Sequence, residues 1–284
     1  MKVGIDSYCY HRYFGEVYDF QKDPGTRWTT ADFVKSAIAL KVDGVSLELC
    51  FFSSFDRDHL KRLREMLDKA GLERVAAWGH PDGLEAGGNP SALKDLIQHI
   101  ETAKALGANV MRVVGSSLMF RDQPHGPQLE RLTAMFKEAV KVAEDKNIIL
   151  AMENHIDYTA REILELIQKV DSKYFGVNFD TGNCLRMFED PVASAELLAP
   201  YIYATHIKDL SPRKGGSPCA WNWWESVPVG SGLVDIPAVL KVLFDAGYPG
   251  TLCVEVDCLR ADWEEAQAVA MSVNYLREQV VKLG

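Results

Sequence analysis

Four metal-capable side chains stand in four consecutive strand-like runs: Glu153 in IILAMENH, Asp180 in FGVNFD, His206 in IYATHIK and Glu255 in TLCVEVD. If these runs are parallel neighbours, their carboxyl ends point the same way, with strands ~4.8 Å apart, and the four side chains can meet at one point. Three carboxylates gathered out of water repel one another and lose hydration, and a divalent cation relieves both costs. Three oxygens and one imidazole suit Mn²⁺ first, with Mg²⁺ or Co²⁺ as alternatives, better than they suit a thiolate-rich structural zinc site. Taken singly, each residue reads as an ordinary strand-end acid or polar group that pairs with Arg or caps a helix. Their coincidence on four successive strands points to one metal ion.

Alternation along a strand places residues i and i+2 on one face. His155 therefore lies beside Glu153, Lys208 beside His206 and Asp257 beside Glu255. His155 can serve as a base or a substrate donor, or as a structural histidine bonded to a loop. Lys208 near a metal stabilises oxyanions, or pairs with Asp209 or another strand-end acid. Glu48, near the end of the second strand, and His80, at the end of the third, are further lining candidates; either can also be structural. Trp78, Trp221, Trp223 and Trp224 offer indole faces to a sugar ring, Trp223 being the substrate-contact candidate of the set, against the alternative of core packing.

The elements that must position these residues repeat one pattern: a β-branched apolar run, a loop, then an amphipathic helix. Eight runs read as strands, KVGIDSY, DGVSLEL, RVAAWGH, NVMRVVG and the four above. Helical spacing follows in DHLKRLREMLDKAG, PSALKDLIQHIETAKALG, LERLTAMFKEAVKVAEDK, AREILELIQKV and IPAVLKVLFDAG, with a last helix from about Trp263 to Leu283. Gly71, Gly107 and Gly247 supply glycine stops, and Thr159 with Glu162 forms a capping box. Eight alternating units predict an α/β fold, a single (β/α)8 TIM barrel over residues 1–284, rather than an open doubly wound sheet. No G-x-G-x-x-G follows the first strand, which counts against the open sheet. The segment Ser211–Gly232 is the longest insertion after a late strand, and it carries three tryptophans.

Composition narrows the partners. The net charge is −9, so phosphate backbones and anionic lipid are repelled, and neither nucleic acid nor a membrane surface is expected. No run approaches a membrane span and the start lacks a signal-peptide pattern. The six cysteines form no C-x-x-C pair and read as reduced thiols, which suits the cytoplasm. Self-association or a partner subunit stays open.

The segments AMENH, NFDTGN, THIKD and CVEVD, with VPVGSGLVDI before the seventh helix, resemble the xylose-isomerase-like TIM-barrel superfamily. Within it they are similar to sugar phosphate isomerases/epimerases, inosose dehydratase, hydroxypyruvate isomerase and ketose 3-epimerases. The resemblance implies a metal held by Glu153, Asp180, His206 and Glu255, with Glu153 and Glu255 doubling as the acid–base pair. Ketose 3-epimerases carry a His three residues after the Asp ligand, where this chain has Asn183, a substrate-binding candidate here. They also carry an Arg soon after the strand-seven His, whereas Arg213 stands in a different local pattern. The ENH segment also resembles catalytic subunits of C-glycoside deglycosidases, which use such a His as base on 3-keto-glycosides. Endonuclease IV shares the barrel but needs more ligands than this sequence supplies. Two enzymatic expectations follow: isomerisation or epimerisation of a sugar or keto-polyol through a metal-chelated enediolate, or a lyase (dehydratase or deglycosidase) that eliminates from the same enolate. A non-catalytic carbohydrate-binding barrel is the third reading, and it has no need of two metal-bound carboxylates.

Overall fold

A computed structural model describes all residues, 1–284. Eight parallel strands form a closed barrel: β1 (Lys2–Asp6), β2 (Gly44–Glu48), β3 (Glu73–Trp78), β4 (Val110–Val113), β5 (Ile149–Glu153), β6 (Phe175–Asp180), β7 (Ile202–Ile207) and, last in the chain, β10 (Thr251–Val254). Neighbours in the ring follow sequence order, and β1 closes it by pairing with both β10 and β2. Every strand predicted from the sequence is present.

Helices return the chain between strands: α1 (Thr30–Ala39), α2 (Arg57–Ala70), α3 (Pro90–Leu106), α4 (His125–Lys146), α5 (Ala160–Val170), α6 (Thr181–Arg186), α7 (Pro191–Leu198), α8 (Ile236–Asp245) and α9 (Glu265–Leu283). The start of α5 shows how local sequence sets a boundary. Thr159 accepts from the Glu162 amide while Glu162 answers the Thr159 amide, which satisfies two otherwise orphan donors. Its inward stripe of Ile163, Leu166, Ile167 and Val170 is buried against the barrel. Gly71 and Gly107 end α2 and α3 at φ 66° and 78°, a left-handed conformation that costs glycine little. Two helices, α6 and α7, fill the connection where a single unit was expected.

The Trp-rich segment is ordered by a two-stranded antiparallel ribbon, β8 (Asp209–Pro212) with β9 (Trp224–Val227). Asp209 anchors its return: its carboxylate accepts from the amides of Gly230, Gly232 and Val234 at 2.8–3.1 Å. A side chain at position 232 would collide with that carboxylate, so glycine is required there.

One irregularity governs the site. Between β6 and β7 the register runs Val177↔Ile202 and then Asn178↔Ala204, skipping Tyr203. In unbroken register Asn178 would face Tyr203, and Asp180 would face Thr205. The bulge shifts the phase by one residue, so Asp180 is paired with His206. Gly176 allows it, because a Cβ there would strike the Tyr203 ring and the Tyr201 carbonyl.

Candidate active site

Glu153 and Asp180 end β5 and β6, His206 is next to last in β7, and Glu255 is the first residue beyond β10. All four are buried, and one ligand atom from each lies within 4.8 Å of all the others. His206 Nδ1 faces the carboxylates, 3.1 Å from Glu255 Oε2, 3.5 Å from Glu153 Oε1 and 3.9 Å from Asp180 Oδ2. Its other nitrogen, Nε2, faces Asp6 Oδ2 at 3.4 Å. A carboxylate behind the ring, although without hydrogen-bond geometry at this separation, favours the proton on Nε2 and so would leave the Nδ1 lone pair for a metal.

The donor set fits a divalent ion. Asp180 Oδ2, His206 Nδ1 and Glu255 Oε2 are buried atoms with no hydrogen-bond partner of good geometry, although Lys208 Nζ lies 2.9 Å from both carboxylate oxygens. Groups of this kind are costly to bury unless something charged answers them. The electrostatics agree. Burial, with Glu255 and Glu153 nearby, pushes the Asp180 carboxyl up to about 7 in spite of Lys208. For His206, burial works toward the neutral ring, yet Glu255 and Glu153 outweigh it and drive the pKa well above the ordinary value. The cluster draws positive charge.

Two buried cations tie this centre to the walls. Arg112, on β4, bridges Glu48 and Glu153, with Nε 3.2 Å from Glu153 Oε2. Burial opposes ionisation of Glu153, but Arg112 and His206 overcome it and hold the carboxyl down at about 2. Lys208 sits among Asp180, Glu255 and Asp257, and not on Asp209. Arg186, at the end of α6, grips Asp257 with both terminal nitrogens, at 2.5 and 3.1 Å.

These residues open onto a cleft of about 220 Å³ at the carboxyl ends of the strands, where active sites of this fold gather. His80, His155, Asn183 and Lys208 line it together with Glu153 and Glu255. Asn183 Nδ2 donates to Glu153 Oε1 at 3.2 Å. His155 is held neutral by burial, which pushes its imidazole down to about 4, and its Nδ1 is buried without a partner. His80 Nε2 bonds Glu16 at 2.7 Å. Glu48 lies beneath the cleft, paired with Arg112, and is not part of the lining.

The tryptophans divide differently from the expectation. Trp221 lines the cleft, edge-on to Tyr18 at 4.9 Å. Trp223 does not; it ends the short 3-10 turn Trp221–Trp223, packs at right angles to Trp224 at the start of β9, and faces a separate surface depression. Trp78 is fixed by Asp95 at 2.7 Å and also lies outside the lining.

Sequence reading passed over Asp6, Tyr8, Tyr18, Arg112 and Arg186. Two had signals. Asp6 ends the first strand as the ligands end theirs, and Arg112 interrupts an apolar strand at a buried position. Arg186 had none, since its acid lies 71 residues away in sequence.

Fold and site together define a (β/α)8 barrel with a carboxylate–histidine centre at the carboxyl ends of its strands, and the chain belongs to the xylose isomerase-like TIM barrel family, whose profile matches residues 34–279. Among curated relatives, the 3-oxo-isoapionate decarboxylase of Pectobacterium atrosepticum is 27% identical over 181 residues, 63% of this chain and 64% of that protein. The putative L-ribulose-5-phosphate 3-epimerase SgbU of Escherichia coli is 29% identical over 161 residues, 55% of this chain and 54% of that one. This chain thus spans less than two thirds of the length of both. The inosose dehydratase of Erwinia tasmaniensis is 26% identical over 220 residues, covering 69% of this chain and 73% of that protein. The fold matches the crystal structure of D-psicose 3-epimerase in the presence of D-fructose with TM-score 0.76 over 100% of both chains, at 16% identity. No helix is long and apolar enough to cross a membrane.

Proposed function

We propose that this chain is a divalent-metal-dependent isomerase or epimerase of a sugar or keto-polyol, with Glu153, Asp180, His206 and Glu255 as the ligands. The observation that carries the reading is that one ligand atom from each of these four buried residues lies within 4.8 Å of all the others, with Asp180 Oδ2, His206 Nδ1 and Glu255 Oε2 lacking a hydrogen-bond partner of good geometry. Mn²⁺ is the ion we favour, on the hardness of three oxygens and one imidazole. When bound, a divalent ion polarises a substrate ketone and acidifies the adjacent C–H. Glu153 and Glu255 move that proton, one taking it and the other returning it. Asn183 and Arg112 fix the orientation of Glu153, and Lys208 does the same for Glu255. The ring wall of Tyr8, Tyr18 and Trp221 holds the sugar and keeps water out.

A second reading is elimination from the same enolate, with His155 as base. It is favoured by the unpartnered Nδ1 of His155 in the cleft wall, and a dehydratase and a decarboxylase stand among the relatives. The deciding experiment is incubation of Mn²⁺-loaded protein with ketoses, inososes and 3-keto-glycosides in D₂O. Deuterium at an α-carbon reports enolate formation, and the product distinguishes re-protonation from loss of a substituent. No exchange with any of them would sink the proposal.

Three smaller consequences can be checked directly. Mn²⁺ at about a hundred times its Kd is expected to stabilise the fold by ~2.7 kcal/mol, seen as a rise in Tm. Asp6→Asn is expected to weaken Mn²⁺ affinity about 10–100-fold through the His206 ring it orients; unchanged affinity would refute that role. Trp221→Ala is expected to raise KM about tenfold, the equivalent of ~1.4 kcal/mol of lost stacking, with kcat nearly constant. Trp223→Ala should leave both parameters alone, and the reverse pattern would show that the ribbon presents the other indole.

A further inference from the structure

The names of the relatives include phosphorylated and unphosphorylated substrates, so they do not decide which this cleft takes. The cations of the cleft do. Lys208 has three N–H groups and three carboxylates around it, Asp180 at 2.9 Å, Glu255 at 2.9 Å and Asp257 at 3.1 Å. The terminal nitrogens of Arg186 donate to Asn183 Oδ1 at 3.2 Å, to the Trp224 carbonyl at 3.2 Å and twice to Asp257. Its Nε is buried and has no hydrogen-bond partner. Arg112 is divided among Glu48, Glu153 and the Trp78 carbonyl. His80 is bonded to Glu16.

Charge gives the same answer as donor number. Asp6, Glu153, Asp180, Glu255 and Asp257 are buried and outnumber Arg112, Arg186 and Lys208, and adding a divalent ion brings the count to balance with no surplus positive charge. A helix N-terminus would be the other way to hold a phosphate. The one at the cleft, on α6, is filled by the protein's own carboxylate: Asp180 Oδ1 accepts from the amides of Gly182 at 2.8 Å and Asn183 at 2.9 Å.

We infer that the substrate carries no phosphate group, and that the site selects an unphosphorylated polyhydroxy ketone. Such a molecule needs no free cation. It is gripped by the ring faces of Tyr8, Tyr18 and Trp221 and by neutral hydrogen-bonding groups such as Asn183 and Ser117. A phosphate dianion would have to break a buried ion pair to gain one, at the cost of leaving a carboxylate unpaired. This inference rests on the keto-sugar reading above but is tested separately from it.

The test is calorimetric titration of the metal-loaded protein with inorganic phosphate and with ketopentoses and ketohexoses paired with their phosphate esters. We expect no saturable phosphate binding up to about 10 mM, and each ester at least about tenfold weaker than its parent sugar where the parent binds. Asp257→Asn, which frees Arg186, is expected to bring phosphate binding into the measurable range. Saturable phosphate binding by the wild-type protein below that limit, or an ester tighter than its parent, would overturn the inference. So would a folded Asp257→Asn protein, checked by circular dichroism, that gains no phosphate affinity. If no sugar undergoes α-proton exchange, the isomerase reading falls, while the phosphate titration still decides this one.

Discussion

Replacing Glu153 or Glu255 by Gln is expected to lower turnover by about 10²–10⁴-fold, the range for removal of a positioned acid–base group. Both carboxylates converge on His206 Nδ1, at 3.5 and 3.1 Å, at the floor of the cleft. Each is held from behind by a cation, Arg112 or Lys208, so its remaining freedom is small. Gln keeps the shape and the hydrogen-bonding oxygen but cannot carry the proton. Metal content must be measured alongside, because the same oxygens are proposed ligands. His155→Ala is the contrasting variant. In the isomerase reading His155 only orients substrate, and its loss costs about 10–100-fold. In the eliminating reading the order inverts, and proton abstraction disappears with His155 while metal affinity stays intact. The measurement is α-proton exchange in D₂O on fully metallated His155→Ala protein. Exchange at background level would transfer the base from the glutamates to the histidine.

The largest effect on stability is expected at Arg112. Its guanidinium is buried and answers two buried carboxylates on different strands, Glu48 on β2 and Glu153 on β5. Arg112→Ala leaves both without a cation, and removing one partner of a buried ion pair costs about 3–5 kcal/mol. For a chain of this size that is a fall in Tm of roughly 6–20 °C. Burial already pushes Glu48 up to about 8 with Arg112 in place. At neutral pH Glu48 is therefore largely protonated already, and the charge that Arg112→Ala leaves unpaired is that of Glu153, so Glu48→Gln in the Arg112→Ala background should cost little more. Denaturant unfolding of the single and double variants measures this. A loss below about 1 kcal/mol for Arg112→Ala would show that water or a side-chain shift replaces the pair.

Much of the barrel was legible because its signals are local. Apolar runs followed by helical spacing marked all eight strands and six of the helices, and the Thr159–Glu162 capping box placed the start of α5 where it is found. The short helices α6 and α7 and the ribbon inside the Trp-rich segment were not visible. Their stability comes from distant partners: Asp209 gathering the amides of residues 230–234, and Arg186 reaching Asp257. The indole that faces the cleft was unreadable for a related reason. Trp221 and Trp223 lie in the short 3-10 turn that precedes β9, and three tryptophans in four residues give no preference of their own.

By itself the sequence determined which side chains could form the centre and at which end of the barrel they would stand. Strand ends and chain direction are properties of short segments, and Glu153, Asp180, His206 and Glu255 are placed by them. The tertiary structure decided that the four face one another. Alternation in unbroken register would have set Asp180 beside Thr205, and the skipped Tyr203 sets it beside His206 instead. It also decided that Arg112, Arg186 and Lys208 are committed to the protein's own acids. Register across a closed sheet and ion pairs between distant strands depend on how the whole ring fits together, and no segment carries that information alone.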